Sequence, residues 1–189
     1  MRRLLVVEGQ EGVGKSTLIR ALLLESPSSA QIDAEDVGQV NPWVMDDDFI
    51  RLLWNNVVAC IHNFWAAGYS TVIAGSFCSL AELPRFLALL DGAPEVFVVH
   101  VCASKVVRDG RRMARPKRTS RRDRDWVDRH YPEETDVTTV AAEYGYVRVD
   151  NSYLSVEDTV AAVRKAFPEI YGALTASARR GKQRGQQLG

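Results

Sequence analysis

The chain is predicted to fold as three α/β/α layers, with helices on both faces of a five-stranded parallel sheet. Three observations carry that prediction. Five short, mostly apolar runs (residues 4–8, 30–33, 71–74, 96–101 and 146–149) are each long enough for one buried strand. Between them lie segments with apolar residues at intervals of three and four, the spacing of a helix with one buried face. Strands that alternate with helices in this way pair in parallel, because each helix carries the chain back to the same edge of the sheet.

In order, residues 4–8 form an apolar run that stops at Gly9, as a central parallel strand does. Residues 16–25 follow as a helix with Leu18, Ile19, Leu22 and Leu23 on one face, ended by Pro27 and its flanking serines. Residues 30–33 make a brief second strand. Asp46, Asp47 and Asp48 open a long helix, where carboxylates suit both the N-cap and the positive end of the helix dipole. Its buried face comprises Ile50, Leu53, Trp54, Val57, Val58, Ile61, Phe64 and Trp65, and Gly68 closes it. A strand at 71–74, a helix at 80–90 broken near Pro84 and a strand at 96–101 come next. An arginine-rich stretch, a strand at 146–149 and a helix at 156–167 complete the order. The expected domain covers residues 1–174, and residues 175–189, rich in Gly, Gln, Arg and Ser, are expected to be a disordered basic tail.

With 189 residues, 46% hydrophobic and 25% charged, the chain has an ordinary globular composition and length for one core. No apolar run approaches the roughly 20 residues that span a bilayer, so no membrane association is expected. Cys60, Cys78 and Cys102 are odd in number and lack ligand spacing, and His62, His100 and His130 are scattered. That pattern argues against a zinc site or a disulfide framework and for a reduced, cytoplasmic protein. The formal net charge of zero conceals an asymmetry: residues 105–129 hold eleven Lys and Arg against four Asp, about +7. Such a local excess points to a local anion, and no nucleic-acid partner is expected.

Gly9-Gln10-Glu11-Gly12-Val13-Gly14-Lys15-Ser16 fits the pattern Gly-x4-Gly-Lys-Ser/Thr at every fixed position. The glycines let the backbone wrap an anion with its N–H groups turned inward. The helix that begins near Lys15 aims its positive end at the same place. Lys15 can reach β- and γ-phosphates, and the Ser16 hydroxyl can ligate Mg2+. The loop sits between an apolar strand and an amphipathic helix, the setting this P-loop requires. ATP and Mg2+ are therefore the expected cofactors, held by residues from Gly9 through Thr17 with Ser16 as the metal ligand.

The run from Leu5 to Thr17 resembles the opening of thymidylate kinases. The layout of the whole chain is similar to the broader group of small P-loop phosphotransferases, which includes shikimate, gluconate and adenylate kinases and chloramphenicol phosphotransferase. The resemblance implies a P-loop NTPase fold, an acceptor-binding segment after the second strand, and an arginine-bearing lid at about residues 108–130. It also implies that backbone groups of the loop at Asp150-Asn151-Ser152 hold the adenine edge. The chain departs from the pattern in several places. It lacks the Arg-Glu-Pro and Asp-Arg signatures that bind nucleoside monophosphate in thymidylate kinases, and the Asn-Lys-x-Asp motif of GTPases. Its third strand runs into Gly75-Ser76 with no Walker-B aspartate, as in shikimate kinase.

Asp33 ends the second strand, at the edge of an open parallel sheet where ligands collect. In the resembling kinases an aspartate there hydrogen-bonds the acceptor hydroxyl, and accepts its proton or holds a magnesium-bound water. Glu35 and Asp36 are alternatives, and a turn-capping role for Asp33 is the plainer reading. By position, residues 38–63 line the acceptor pocket, with Asn41, Trp43, Arg51, Asn55 and Asn56 as candidate contacts. Arg108, Arg111, Arg112 and Arg115 share one helix face by spacing, and Pro116 makes the stretch carrying Arg118, Arg121 and Arg122 a turn or a mobile segment. In the resembling kinases such arginines close over ATP and neutralise the moving phosphoryl group. Arg108, Arg112 and Arg115 are the first candidates for phosphate contact. The leading expectation is an ATP-dependent kinase acting on a hydroxyl of a metabolite, nucleoside or antibiotic. A nucleoside or nucleotide kinase of thymidylate-kinase type, a nucleotide switch without a small-molecule acceptor and an RNA-end kinase are the alternatives, and a homodimer is left open.

Overall fold

A computed structural model of the chain describes residues 1–116 and 119–171. Lys117, Arg118 and the expected tail at 175–189 lie outside the described residues. The elements are β1 (Arg3–Glu8), α1 (Lys15–Glu25), β2 (Ser29–Asp33), α2 (Ala34–Val37), α3 (Asp47–Ala66), β3 (Thr71–Gly75) and α4 (Leu83–Leu87). They continue with β4 (Glu95–Cys102), α5 (Lys105–Met113), α6 (Arg121–His130), α7 (Thr138–Glu143), β5 (Gly145–Asp150), α8 (Val156–Ala166) and α9 (Pro168–Tyr171). One sheet of five strands in the order β2-β3-β1-β4-β5 results, and all four pairings are parallel.

Alternate residues of the central strands feed two cores. Leu4, Val6, Val72, Ala74 and Val98 pack with Trp54, Val57 and Ile61 of α3, Leu83 and Phe86 of α4, and Val140 of α7. Leu5, Val7, Ile73, Val99 and Val101 pack with Leu18, Ile19 and Leu22 of α1 and with Val160 and Val163 of α8. These are the three predicted layers. Register then fixes the functional edge. Asp33 pairs with Gly75, Gly75 with Val7, and Glu8 with His100, so the C-terminal ends of four strands finish side by side.

Caps explain where the helices begin and end. Asp46 Oδ1 accepts the Phe49 N–H at 2.8 Å and starts α3. Gly68, at φ +93°, follows its end in the left-handed conformation that glycine adopts without strain. Two expectations need correction. The helix expected over 80–90 is only Leu83–Leu87, with Pro84 in its first turn, where the missing N–H costs nothing; Pro84 starts the helix and does not break it. The stretch beyond Pro116 contains α6, which begins on a reciprocal capping box. Asp123 N donates to Ser120 Oγ at 3.1 Å, and Ser120 N donates to Asp123 Oδ2 at 3.0 Å. Short α2, α7 and α9 leave too few turns for a periodic signal. The three cysteines are free. Among the described residues no helix is long and apolar enough to cross a membrane.

Candidate nucleotide-binding site

The loop between β1 and α1 can be built only with glycine at two positions, the fixed Gly9 and the variable Gly12. At Gly9, φ is +148° and a Cβ would lie 2.0 Å from the Val101 carbonyl oxygen; at Gly12, φ is +88° and a Cβ would lie 2.9 Å from the Arg108 oxygen. Gly14, at φ +99°, caps α1 and turns the chain into its first helical turn. The loop thus wraps the N-terminus of an eleven-residue helix, where unpaired N–H groups and the helix dipole favour an anion. Lys15 Nζ donates to the Gly9 carbonyl at 2.6 Å, which folds its ammonium over the loop. Ser16 is on the first turn.

A cavity of about 340 Å³ opens beside the loop, between α1, α5 and the connection from β5 to α8. Gly14 and Thr17 form one wall, Arg111 and Arg115 another, and Leu154 and Thr159 a third. Its volume lies within the roughly 300–1,000 Å³ of ordinary small-molecule sites. Arg111 is pinned at its rim: Nη1 donates to the Val13 carbonyl and to Asn151 Oδ1, both at 2.9 Å, and Nη2 donates to the Asn151 carbonyl at 3.0 Å. Asn151 Nδ2 donates to the same Val13 oxygen at 2.9 Å.

The other arginines expected at phosphate divide differently from the expectation. Arg108 and Arg112 are buried and turn away from the loop mouth toward α6. Arg108 Nη1 lies 2.6 Å and Arg112 Nη2 2.8 Å from Asp128 Oδ1; Arg112 also pairs with Asp109, and Lys105 joins Asp109, Asp125 and Asp128. Burial alone would raise the pKa of Asp128. Hydrogen bonds from Arg108, Arg112 and Lys105 overturn that and hold it well below the usual carboxylate range. The reason is geometric. Residues 108 and 112 lie one turn apart on the side of α5 that α6 covers, while Arg111 is on the side facing the cavity and Arg115, beyond the end of α5, also lines it. Arg115 is half exposed, with Nη1 3.6 Å from Glu11 Oε1, and Arg121 pairs with Asp125 on the surface.

The Gln10 and Glu11 side chains point outward, whereas Val13 is buried in the core. Gln10 Nε2 donates to the Tyr131 carbonyl at 3.2 Å, and Glu11 faces Arg112 and Arg115. Gln10 and Glu11 can therefore contribute backbone to the loop's anion cradle while their side chains face the end of α6 and the C-terminal end of α5. Magnesium fits this donor set through Ser16 Oγ alone. Among the described residues no cluster of three or more His, Cys, Asp or Glu side chains is arranged to hold a metal.

On the acceptor side, Asp33 Oδ1 accepts the Glu35 N–H at 3.4 Å and caps α2, so the capping role is real. Glu35, Asn41, Trp43, Arg51 and Asn55 are all exposed. Trp43 packs edge-on against Phe49 at 5.9 Å, and Arg51 pairs with Asp48 at 3.1 Å. The structure encloses none of these candidates, because Trp54 and Val57 take the inward face of α3 and leave positions 51 and 55 on the outside. Asn56 Nδ2 donates to the Val37 carbonyl at 2.9 Å, tying α3 to α2.

Sequence reasoning missed Glu8, Glu82 and Glu134, which converge at the edge of β1. Glu134 Oε1 and Oε2 accept the Leu80 and Ala81 N–H groups at 2.7 and 2.9 Å, and Glu82 accepts the Ser79 N–H and hydroxyl at 3.0 and 2.8 Å. Glu8 keeps a little exposed surface, yet burial of its carboxyl raises its pKa from 4.5 to about 7. Lys15 and the Gly9 N–H pull against that rise, and Glu134 and Glu82 add to it. The available signal was a lone carboxylate ending an otherwise apolar central strand.

The sequence matches no protein-family model and no curated protein. Solved structures do share the fold. A sugar kinase from Janibacter sp. HTCC2649 superposes with a TM-score of 0.68 at 15% identity, over 92% of this chain and 97% of that one. A gluconokinase from Sinorhizobium meliloti 1021 gives 0.66 at 14% identity, over 94% and 99%. A thymidylate kinase from Candida albicans gives 0.62 at 14% identity, over 89% and 92%. The chain therefore has the fold of the small P-loop kinases it resembles.

Proposed function

We propose that this chain is a phosphotransferase that moves the γ-phosphoryl group of ATP to a hydroxyl of a small molecule in the cytoplasm. The observation that carries the reading is the glycine-built loop at the α1 N-terminus, folded under Lys15 and opening onto a cavity of nucleoside size. Backbone N–H groups of the loop bind the phosphates, and Lys15 bridges to the β- and γ-groups. Mg2+, held by Ser16, would offset charge on the phosphate oxygens. Arg111, fixed flat by Asn151 and Val13, offers a planar face against which a base can stack. Arg115 is the cavity arginine with freedom to meet transferring phosphate, and closure over it excludes water. Asp33 holds the acceptor at the β2 edge.

The test is ATP consumption by the purified protein against nucleosides, sugars, amino-acid alcohols and aminoglycoside-type compounds, with mass spectrometry following a phosphoryl gain on the acceptor. A product that disappears in Lys15→Ala and falls steeply in Asp33→Asn, with ATP binding kept in the latter, is the expected result. Tight ATP binding with no product across the panel would instead favour a nucleotide switch.

A further inference from the structure

We propose that Glu8 receives the proton of the acceptor hydroxyl during transfer. The proposal rests on the phosphotransferase reading and adds to it a residue one position before the phosphate loop.

Glu8 ends β1 and follows Leu4 and Val6 in strand alternation, so it lies on the α3 and α4 face of the sheet, away from α1. The next residue, Gly9, carries the carbonyl that holds Lys15 Nζ. The groups around Glu8 come from every neighbouring element: Lys15 from α1, Cys78 and Glu82 from the β3–α4 connection, Glu134 from the α6–α7 connection, and His100 beside it in register on β4. Most are already engaged. Glu82 holds Ser79, Glu134 holds the 80–81 backbone, and His100 Nδ1 is 3.0 Å from the Tyr146 hydroxyl. Burial first, then the surrounding carboxylates, keeps the Cys78 thiol protonated. Beyond the Gly9 N–H and the Lys15 ammonium, which pull its pKa down, Glu8 has no hydrogen-bond or salt-bridge partner among the described residues. It is therefore the carboxylate of this cluster with acceptor capacity left.

The third strand offers no substitute. A Cβ at Gly75 would lie 2.6 Å from the Val7 carbonyl oxygen and 2.8 Å from Ile19 Cδ1, so no acid can stand there. Asp33 has one oxygen committed to the α2 cap and sits two strands away, roughly 10 Å along the sheet. A carboxyl that titrates near 7 is matched to proton transfer at neutral pH.

In the step, the acceptor O–H bond breaks and its proton passes to a Glu8 carboxylate oxygen. The acceptor oxygen's electron pair forms the bond to the γ-phosphorus, the bond from that phosphorus to the β–γ bridging oxygen breaks, and the oxygen leaves as part of ADP. Glu8 returns its proton to water after product release.

The experiment uses the full chain, ATP and the acceptor that the panel identifies, with Glu8→Gln and Glu8→Asp variants. Glu8→Gln is expected to lower kcat about 100-fold or more while calorimetry shows ATP affinity unchanged. The wild-type rate should fall below about pH 7, and that limb should vanish from the residual activity of Glu8→Gln, with Glu8→Asp restoring part of the rate. If the wild type transfers phosphate and Glu8→Gln keeps both its kcat and the acidic limb, Glu8 is not the proton acceptor and the kinase reading stands. If the wild type binds ATP but phosphorylates nothing in the panel, the kinase reading and the role of Glu8 fall together. Melting curves of both variants separate lost chemistry from lost folding.

Discussion

Arg111 and Asn151 hold each other and, together, the Val13 carbonyl: Arg111 Nη1 reaches Asn151 Oδ1 at 2.9 Å, and both residues donate to the Val13 oxygen at 2.9 Å. Val13 immediately precedes the Gly14-Lys15 turn, so this clamp sets the peptide that aims the helix N-terminus. It also joins the loop after β5 to the loop after β1, two segments 138 residues apart in sequence. The buried Asn151 side chain thus shapes the loop through the Val13 carbonyl.

Asn151→Ala should therefore weaken ATP binding about tenfold, the equivalent of about 1.4 kcal/mol and the size of one or two lost hydrogen bonds. Calorimetric titration with ATP checks it. An unchanged affinity would mean that the Val13 peptide holds its place without the clamp.

The pairing of Arg108 and Arg112 with Asp128 gives a second expectation. The two guanidiniums and the carboxylate are nearly enclosed, with side-chain exposures of 6%, 1% and 13%. Removing the anion leaves buried Arg108 without a carboxylate and Arg112 with Asp109 and a more distant Glu11, and one uncompensated buried cation typically costs about 3–5 kcal/mol. Asp128→Asn should lower the melting temperature by roughly 10 °C and raise amide exchange across α6. Melting within a degree of wild type would show that other contacts seat α6.

Arg115 should behave in the opposite way. Half exposed at the cavity rim, it contributes little to folding, so Arg115→Ala should melt like wild type while phosphotransfer falls about 100-fold. Steady-state kinetics beside a thermal melt decides the matter; a large drop in melting temperature with kcat intact would reverse the division between structural and functional arginines.

The contrast between these arginines shows what could be read from residues alone. The phosphate loop was legible because each fixed position answers to a local requirement: positive φ at Gly14, close approach to Val101 at Gly9, a reaching cation at Lys15. The strands were legible because a sheet covered on both faces must be apolar throughout. The arginine stretch was not. Spacing placed Arg108, Arg112 and Arg115 together, but which side of α5 is covered depends on Asp128, 16 residues beyond Arg112 on a helix announced only by its cap. Arg51 and Asn55 on α3 stand exposed for a similar reason, since position in the chain fixes neither inward orientation nor enclosure. Glu8 was hidden by its neighbours, because its meaning comes from Glu82 and Glu134 arriving through tertiary structure.

Gly75 bears on engineering. Restoring an acid at the end of β3 with Gly75→Asp would drive a Cβ to 2.6 Å from the Val7 carbonyl oxygen and into Ile19. Overpacking of this kind costs about 1–3 kcal/mol or more. The variant should lose stability in a denaturant titration and gain no activity, and a stable, faster enzyme would show that β1 and α1 can move apart.

Glu8 also predicts how stability depends on pH. Its folded pKa of about 7 lies above the 4.5 of an ordinary glutamate, so the native state holds this proton more tightly than the unfolded chain. Its stabilising contribution is therefore complete below pH 4.5 and is lost as pH rises through 7. At pH 8 the charged carboxylate is a cost, the difference between the two pKa values corresponding to about 3 kcal/mol at most. Glu8→Gln carries no such charge. Its melting temperature should match wild type near pH 4.5 and exceed it by roughly 5–10 °C at pH 8, with the curves separating between those limits. Parallel melting curves across that range would mean that Glu8 titrates as it does in water, and would remove the physical basis for its role as a base.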